Sequence, residues 1–273
     1  MATTRIGLDQ LPAAARAAVE QRTGPLLTVT ESAHGFNSEV AARVTSATGT
    51  WHVKGLRTDH PRAWTQRREA ALAPFLTGLA PALRWRVETA GWDLLGFEAL
   101  DGCHADYSPG SPDLPEVAAL LRRLGTTPRP DIELRRAEQR LEQYATTPDD
   151  LHFFAGDRLL HTDLNNTNVL VNDRAPQADR ARIVDWAWAT RGAAWLDAGY
   201  WIIWLIAFGH TSPSAEHWAS EIPAWRVAPA EGITAFASAN HTLWNEISAA
   251  DPNPWTRRLA RAASVWREHR RSG

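Results

Sequence analysis

The residues best suited to chemistry lie in two short polar segments flanked by apolar runs. His161-Thr162-Asp163-Leu164-Asn165-Asn166-Thr167-Asn168 leads into Val169-Leu170-Val171, and Ile183-Val184 leads into Asp185-Trp186. Residues 169–172 and 182–184 read as short strands joined by the polar stretch 173–181. Paired as an antiparallel hairpin, they set the start of one strand beside the end of the other, and so Asn168 beside Asp185. An amide oxygen and a carboxylate are hard oxygen ligands, of the kind that hold Mg²⁺ between protein and phosphates. Asp163 lies five residues before Asn168, in the loop entering the hairpin. A carboxylate there can orient an attacking hydroxyl and accept its proton. Asp and Asn are also ordinary turn residues; the spacing, the flanking strands and the preceding His161 favour the chemical reading.

A second signal is compositional. Lys54 is the only lysine among 29 Lys and Arg residues. Lysine offers a compact ammonium where arginine offers a planar fork. One lysine must fall somewhere, so its surroundings decide its meaning. Residues 26–31, 40–45 and 50–54 read as three antiparallel strands, with a turn at Thr48-Gly49 and Lys54 at the end of the third. Between the first two lies His34-Gly35-Phe36-Asn37-Ser38, whose glycine lets backbone N–H groups approach an anion.

The elements that position these residues follow the same pattern. Residues 9–21 read as an amphipathic helix, with Asp9 as N-cap, Pro12 in the first turn and Gly24-Pro25 as the stop. Residues 61–79 read as a helix with Pro74 inside it, which calls for a kink or an early end. Residues 83–88 and 92–100 read as two further strands around Ala90-Gly91, and Asp101-Gly102 breaks the pattern. Residues 113–124 and 131–144 show helical spacing, and aromatic and alanine-rich helices follow from Ala193. A strand-rich first part and a helix-rich second part suggest two lobes with a cleft between them.

The polar segments resemble the catalytic segment of the protein-kinase-like fold, in the aminoglycoside phosphotransferase and small-molecule kinase branch. The fold's pattern is His-x-Asp, an Asn five positions after the Asp, and an Asp ending the next strand. The branch reads roughly His-Gly-Asp-Leu-His-Pro-Gly-Asn-Val-Leu, with Trp after the later Asp. This chain carries Thr162 for the glycine, Asn165 for the second histidine and Asn166-Thr167 for Pro-Gly, while Val184-Asp185-Trp186 matches the branch. The resemblance spans residues 28–204. Its departures alter the loop facing the acceptor and leave the nucleotide machinery intact.

The resemblance implies an α+β, bilobal fold. Residues 1–100 would form a small N-terminal lobe of antiparallel sheet with one main helix. Residues 101–273 would form a larger, mainly helical C-terminal lobe with the catalytic loop and acceptor site. It implies transfer of the γ-phosphoryl of ATP, with GTP left open, to a hydroxyl of a small molecule. Asp163 would orient or deprotonate the hydroxyl, and Asn168 and Asp185 would hold Mg²⁺. Lys54, anchored by Glu69 on the following helix, would hold the inner phosphates under a cover formed by Gly35, Phe36, Asn37 and Ser38. An ammonium beside a buried sheet needs a carboxylate partner; Glu88 and Glu98 compete with Glu69 but lie on strands. Backbone groups from Glu98 to Leu100 would meet the adenine edge. Asp197 matches an aspartate that braces the catalytic loop. Inactivation of an antibiotic is the first role implied. A metabolic kinase of choline, homoserine or sugar-amine type and a regulatory pseudokinase stay open.

Composition narrows the alternatives. The chain has 273 residues, 44% apolar and 22% charged, which excludes a disordered, collagen-like or coiled-coil protein. A net charge of −2 gives no basic face for nucleic acid. The longest apolar stretch, 201–209, is too short for a bilayer, so no membrane partner is expected. Residues 1–10 hold no apolar signal core, which points to the cytoplasm. The single cysteine, Cys103, excludes an internal disulfide and reads as an inert core or boundary residue. Of 14 tryptophans most read as core, with Trp188, Trp201 and Trp204 nearest the chemistry as acceptor-contact candidates beside Asn165. From Tyr200 onward six acids and seven arginines form no acidic run, which disfavours a polycationic acceptor.

Overall fold

The computed structural model describes residues 5–32 and 38–272. Contacts divide the chain into two compact units, Met1–Gly102 with Arg182–Ala187, and Cys103–Ala181 with Trp188–Gly273.

The first unit holds α1 (Ala13–Thr23), β1 (Leu26–Glu31), β2 (Val40–Ser46), β3 (Gly49–Arg57), α2 (Ala63–Leu72), β4 (Leu83–Thr89) and β5 (Trp92–Glu98). The strands form one antiparallel sheet in the order β1-β2-β3-β5-β4. α1 starts after Pro12 and ends at Gly24, whose φ of 79° is open to glycine at no steric cost. Asp9 does not cap it. Asp9 sits in a 3-10 turn, because a proline disfavours helix in the residue before it and so delays the start. α2 ends at Leu72, and Pro74 lies in a single 3-10 turn beyond it, so the helix expected over 61–79 is cut short where a proline cannot donate. β3 runs three residues past Lys54, which is therefore an interior residue and not the strand's end.

Alternation across the sheet decides what Lys54 meets. Val40, Ala42, Val44, Val53 and Leu94 share one face with Leu8, Leu11, Ala15 and Val19 of the N-terminal helical segment. Leu95 and Phe97 turn the other way, against Ala70 of α2. Lys54 is in register with Ala41 on one side and Leu95 on the other, so its side chain shares the α2 face. A methyl-sized neighbour at Ala41 leaves room for the long lysine stem.

The second unit holds β6 (Cys103–His104), α3 (Leu114–Thr126), β7 (Arg135–Arg136), α4 (Ala137–Leu141), α5 (Leu151–Phe154), β8 (Arg158–Leu160) and β9 (Val169–Val171). The N–H of Asn172 donates to the Arg180 carbonyl at 2.8 Å and closes the loop before β10 (Ala181–Ile183). β11 (Thr190–Gly192) then pairs antiparallel with β8 and parallel with β7. The helix expected over 131–144 is split: Arg135 and Arg136 spend their backbone groups on the β11 ladder, and only Ala137–Leu141 is α-helical. Cys103 is exposed on β6 and is no core residue.

Five helices complete this unit: α6 (Leu196–Ala207), α7 (Ser212–Ser220), α8 (Pro223–Arg226), α9 (Ala230–Ala250) and α10 (Pro254–Ser272). Their core is aromatic. Phe236 meets Trp195, Tyr200, Phe154 and Trp266 edge to face, with ring centroids between 4.9 and 6.2 Å. Gly199 allows this packing, since a Cβ there would come within 2.7 Å of the Phe236 ring. Among the described residues no helix is long and apolar enough to cross a membrane.

Candidate functional site

In the first unit the lone lysine is paired. Lys54 Nζ lies 2.6 Å from Glu69 Oε2 and 3.4 Å from Asp185 Oδ1. Glu69 is buried on α2, so neither Glu88 nor Glu98 takes its place; Glu98 pairs with Arg84 at 2.7 Å and Glu88 with Arg86 at 2.5 Å. Burial would lower the Lys54 pKa, but the Asp185 and Glu69 carboxylates more than offset it and hold the ammonium charged. The segment carrying Asp185 is tied down on both sides. The N–H of Ile183 donates to the Leu79 carbonyl at 2.8 Å, and the N–H of Trp186 reaches Glu69 Oε1 at 3.4 Å. Between them Asp185 takes a φ of 62°, a left-handed backbone that Asp tolerates better than most residues.

Two residues that no motif marked belong to this cluster. His52 shares the β3 face of Lys54, two positions earlier. Burial first, then the charges of Lys54, Arg5 and Arg43, hold it down to about 4, so it is neutral near pH 7. Arg5 donates to the Ser32 carbonyl at 3.5 Å and lies in the field of Glu31 and Asp185. Alternation along β3 was the only sequence signal for His52; for Arg5 there was none. Ser38 is buried, and Gly35, Phe36 and Asn37 lie outside the described residues. On the stretch expected to meet adenine, the Glu98 N–H is committed to the Ala82 carbonyl at 2.9 Å, and the Leu100 carbonyl accepts from Arg43 at 2.9 Å.

In the second unit the loop after β8 carries Asp163. Asp197, in the first turn of α6, accepts the N–H of His161 at 2.9 Å and of Thr162 at 2.8 Å. Burial pushes its carboxyl up to about 6, against the pull of those two N–H groups and of Arg140. His161 is fully enclosed, and its Nδ1 accepts from the Asp163 N–H at 3.3 Å, a supporting contact beneath the loop. Asn168 Nδ2 donates to the Asp163 carbonyl at 3.0 Å, so the amide nitrogen serves the loop and the amide oxygen is the end that could serve a cation. Asn168 in the second unit and Asp185 in the first each carry an oxygen donor of the kind Mg²⁺ accepts.

The remaining candidates fare differently. Asn165 caps the turn Asn166–Asn168, its Oδ1 accepting the Thr167 N–H at 3.1 Å, so its side chain serves the loop. Trp188 is half-buried, with the guanidinium groups of Arg135 and Arg140 at 5.4 and 5.8 Å from its ring. Trp201 and Trp204 are core residues: Trp201 is 0% exposed and packs on Tyr107, and Trp204 is 5% exposed and packs on Trp255. An enclosed ring has no face left for a ligand. Tyr107 is a residue the sequence did not flag. Burial pushes its phenol up, and the Asp163 charge adds to this.

No family model matches the sequence, and none of the curated proteins is significantly similar to it. Solved structures do match. Choline kinase LicA from Streptococcus pneumoniae superposes with a TM-score of 0.63 at 13% identity, over 93% of this chain and 98% of that one. An aminoglycoside phosphotransferase from Alicyclobacillus acidocaldarius gives 0.62 at 14% identity, over 96% and 95%. A thermostable mutant of aminoglycoside phosphotransferase APH(4)-Ia, in a ternary complex with ADP and hygromycin B, gives 0.62 at 12% identity, over 94% and 98%. The fold is protein-kinase-like. The protein-kinase-like fold agrees with the antiparallel sheet of the first unit, with α2 bearing Glu69 and with the helical second unit. At this identity the likeness speaks for the fold, and chemistry must be argued from this chain's own side chains.

Proposed function

We propose that this chain is an ATP-dependent O-phosphotransferase acting on a small hydroxylated molecule. The observation that carries the reading is the pairing of the only lysine with both Glu69 and Asp185. An ion pair this enclosed is expensive to build for stability alone, because desolvation offsets most of its attraction. A fixed ammonium at that place suits the inner phosphates of a nucleoside triphosphate. Asp185 and the Asn168 amide oxygen would hold Mg²⁺, which would supply positive charge to offset that of the phosphates. Asp163 would accept the hydrogen bond of the acceptor hydroxyl and take its proton as the new oxygen–phosphorus bond forms and the bond from the γ-phosphorus to the β–γ bridging oxygen breaks, with ADP leaving. Asp197 and His161 keep that carboxylate's loop in place. Rate acceleration then rests mainly on positioning and on charge stabilisation.

The acceptor we favour is neutral or weakly charged. Arg135 and Arg140 flank Trp188, whose carbonyl is bonded to Thr162, the residue next to Asp163. A polycationic acceptor would meet like charge there. Antibiotic inactivation and a metabolic role both accommodate such an acceptor. A regulatory pseudokinase has no need of Lys54, Glu69, Asp185, Asp163 and Asn168 together.

ATP consumption with Mg²⁺, measured against libraries of hydroxylated antibiotics and metabolites, tests the reading. Asp163→Asn should lower turnover by about 10³-fold while nucleotide affinity stays within about two-fold. Full activity in Asp163→Asn would refute the role given to that carboxylate. Tight Mg²⁺-dependent ATP binding without ADP release from any acceptor would move the conclusion to the pseudokinase.

A further inference from the structure

The residue before Asp163 is in an unusual backbone state. Thr162 has a φ of 67°, in the left-handed region where a β-branched side chain is a steric outlier. Glycine would occupy this place without strain. A strained residue persists only where its surroundings over-determine it, so the threonine side chain must be held.

Its hydroxyl is held by a closed ring of hydrogen bonds. Arg140 Nη1, on α4, donates to Thr162 Oγ1 and to Thr190 Oγ1, each at 2.6 Å. Thr162 Oγ1 donates to the Trp188 carbonyl at 3.1 Å, and Thr190 Oγ1 donates to the same carbonyl at 2.8 Å. Arg140 Nη1 also lies 3.2 Å from the Trp188 carbonyl, so its two N–H groups are shared among three acceptors, the two short threonine contacts first, while each threonine gives its one O–H to the carbonyl. Thr190 is fully buried and is anchored by its ladder with Leu160 of β8. The strand that enters the loop and the strand that follows Trp188 are thereby locked to the peptide preceding Asp163. Asp197 grips the same residue from its other side, through the Thr162 N–H at 2.8 Å.

We propose that Thr162 and Arg140 form a clamp that sets the direction of the Asp163 carboxylate. Thr162 and Arg140 are positioning residues, and neither touches the reacting atoms. The inference rests on the phosphotransferase reading and assigns the loop a restraint that glycine at position 162 would lack. A shift of about 1 Å in a catalytic group costs up to ~10²-fold in rate, the scale on which the clamp should act.

Steady-state kinetics and thermal unfolding of Thr162→Val, Thr162→Gly, Thr162→Ser, Arg140→Met and the Thr162→Val/Arg140→Met double variant test it. Thr162→Val and Thr162→Gly should lower kcat by about 10- to 100-fold, with the KM for ATP within about two-fold. Thr162→Ser, which keeps the hydroxyl, should recover kcat to within about three-fold of the parent. The double variant should lose no more than the worse single one, because the two act as one unit. Thr162→Gly with a parental kcat, or multiplicative losses in the double variant, would overturn the clamp. Should the parent protein transfer phosphate to no acceptor and to no water, the phosphotransferase reading fails by itself. The clamp is then judged on melting temperature alone, where the same variants must be non-additive; additive shifts there refute it.

Discussion

The two loops to which the proposed function assigns the chemistry are held by opposite means. Asp185 and Thr162 both stand in left-handed backbone, with φ of 62° and 67°. The Asp185 loop, in the first unit, is fixed by charge: an ammonium at 3.4 Å, and a neighbouring carboxylate that also accepts a backbone N–H. The Asp163 loop, in the second unit, is fixed by backbone bonds to Asp197 and by a ring of threonine hydroxyls around one guanidinium nitrogen. Charge is long-ranged and forgiving of direction, which suits a site that must accept a highly charged ligand. Hydrogen bonds are short-ranged and directional, which suits a carboxylate that must point at one oxygen. Aspartate tolerates the left-handed region, whereas threonine there needs compensation on the order of 1–3 kcal/mol.

Removing the cation should expose the contrast most strongly. Lys54→Met leaves the buried Glu69 and the half-buried Asp185 carboxylates without their shared cation and should destabilise the protein by about 3 kcal/mol in urea unfolding at neutral pH. Lys54→Met/Glu69→Gln should recover most of that loss without restoring nucleotide turnover. Were the single variant as stable as the parent, charge would not be what holds the first loop.

A smaller effect separates the two units by pH. His52 in the first unit is held down to about 4 from its ordinary 6.5, so its contribution is complete above pH 6.5 and is lost as pH falls toward 4. Asp197 in the second is raised to about 6 from 3.8, so the folded state keeps its proton longer. Stability from Asp197 is greatest below pH 3.8 and is lost as pH rises through 6. Each amounts to at most about 3 kcal/mol. Relative to the parent, Asp197→Asn should gain stability on raising the pH from 4 to 6.5, and His52→Gln should gain it on lowering the pH over the same range. Unfolding midpoints that moved in the same direction for both would break the comparison.

The smallest effect concerns a third strained residue. Ala90, in the β4–β5 turn, has a φ of 49°. Ala90→Gly should stabilise the protein by about 1 kcal/mol in urea unfolding, since relief of strain outweighs the entropy of the unfolded chain. Thr162→Gly should show no such gain, because the hydroxyl it removes compensates the strain. A comparable gain at both positions would mean that the threonine hydroxyl holds nothing.

Much of this molecule was legible before any coordinates. The spacing from Asp163 to Asn168 and the Asp185-Trp186 pair follow local rules of strand and turn. So do the five strands of the first unit, which alternation and turn residues mark directly. Where the reading slipped, a non-local partner or a proline decided. Arg135 and Arg136 went to a ladder with a strand more than fifty residues away in sequence, and Pro12 moved the start of α1. Trp201 and Trp204 looked like acceptor contacts by proximity in sequence, yet helix packing turned both inward.

By itself the sequence determined the fold type and the identity of the one lysine, because these depend on residue type and short spacing. Only the tertiary structure decided that Glu69 is that lysine's partner, that His52 is neutral, and that Arg140 reaches Thr162 and Thr190 at once. Burial and charge act through space, and residues separated by tens of positions become neighbours only when the chain has folded.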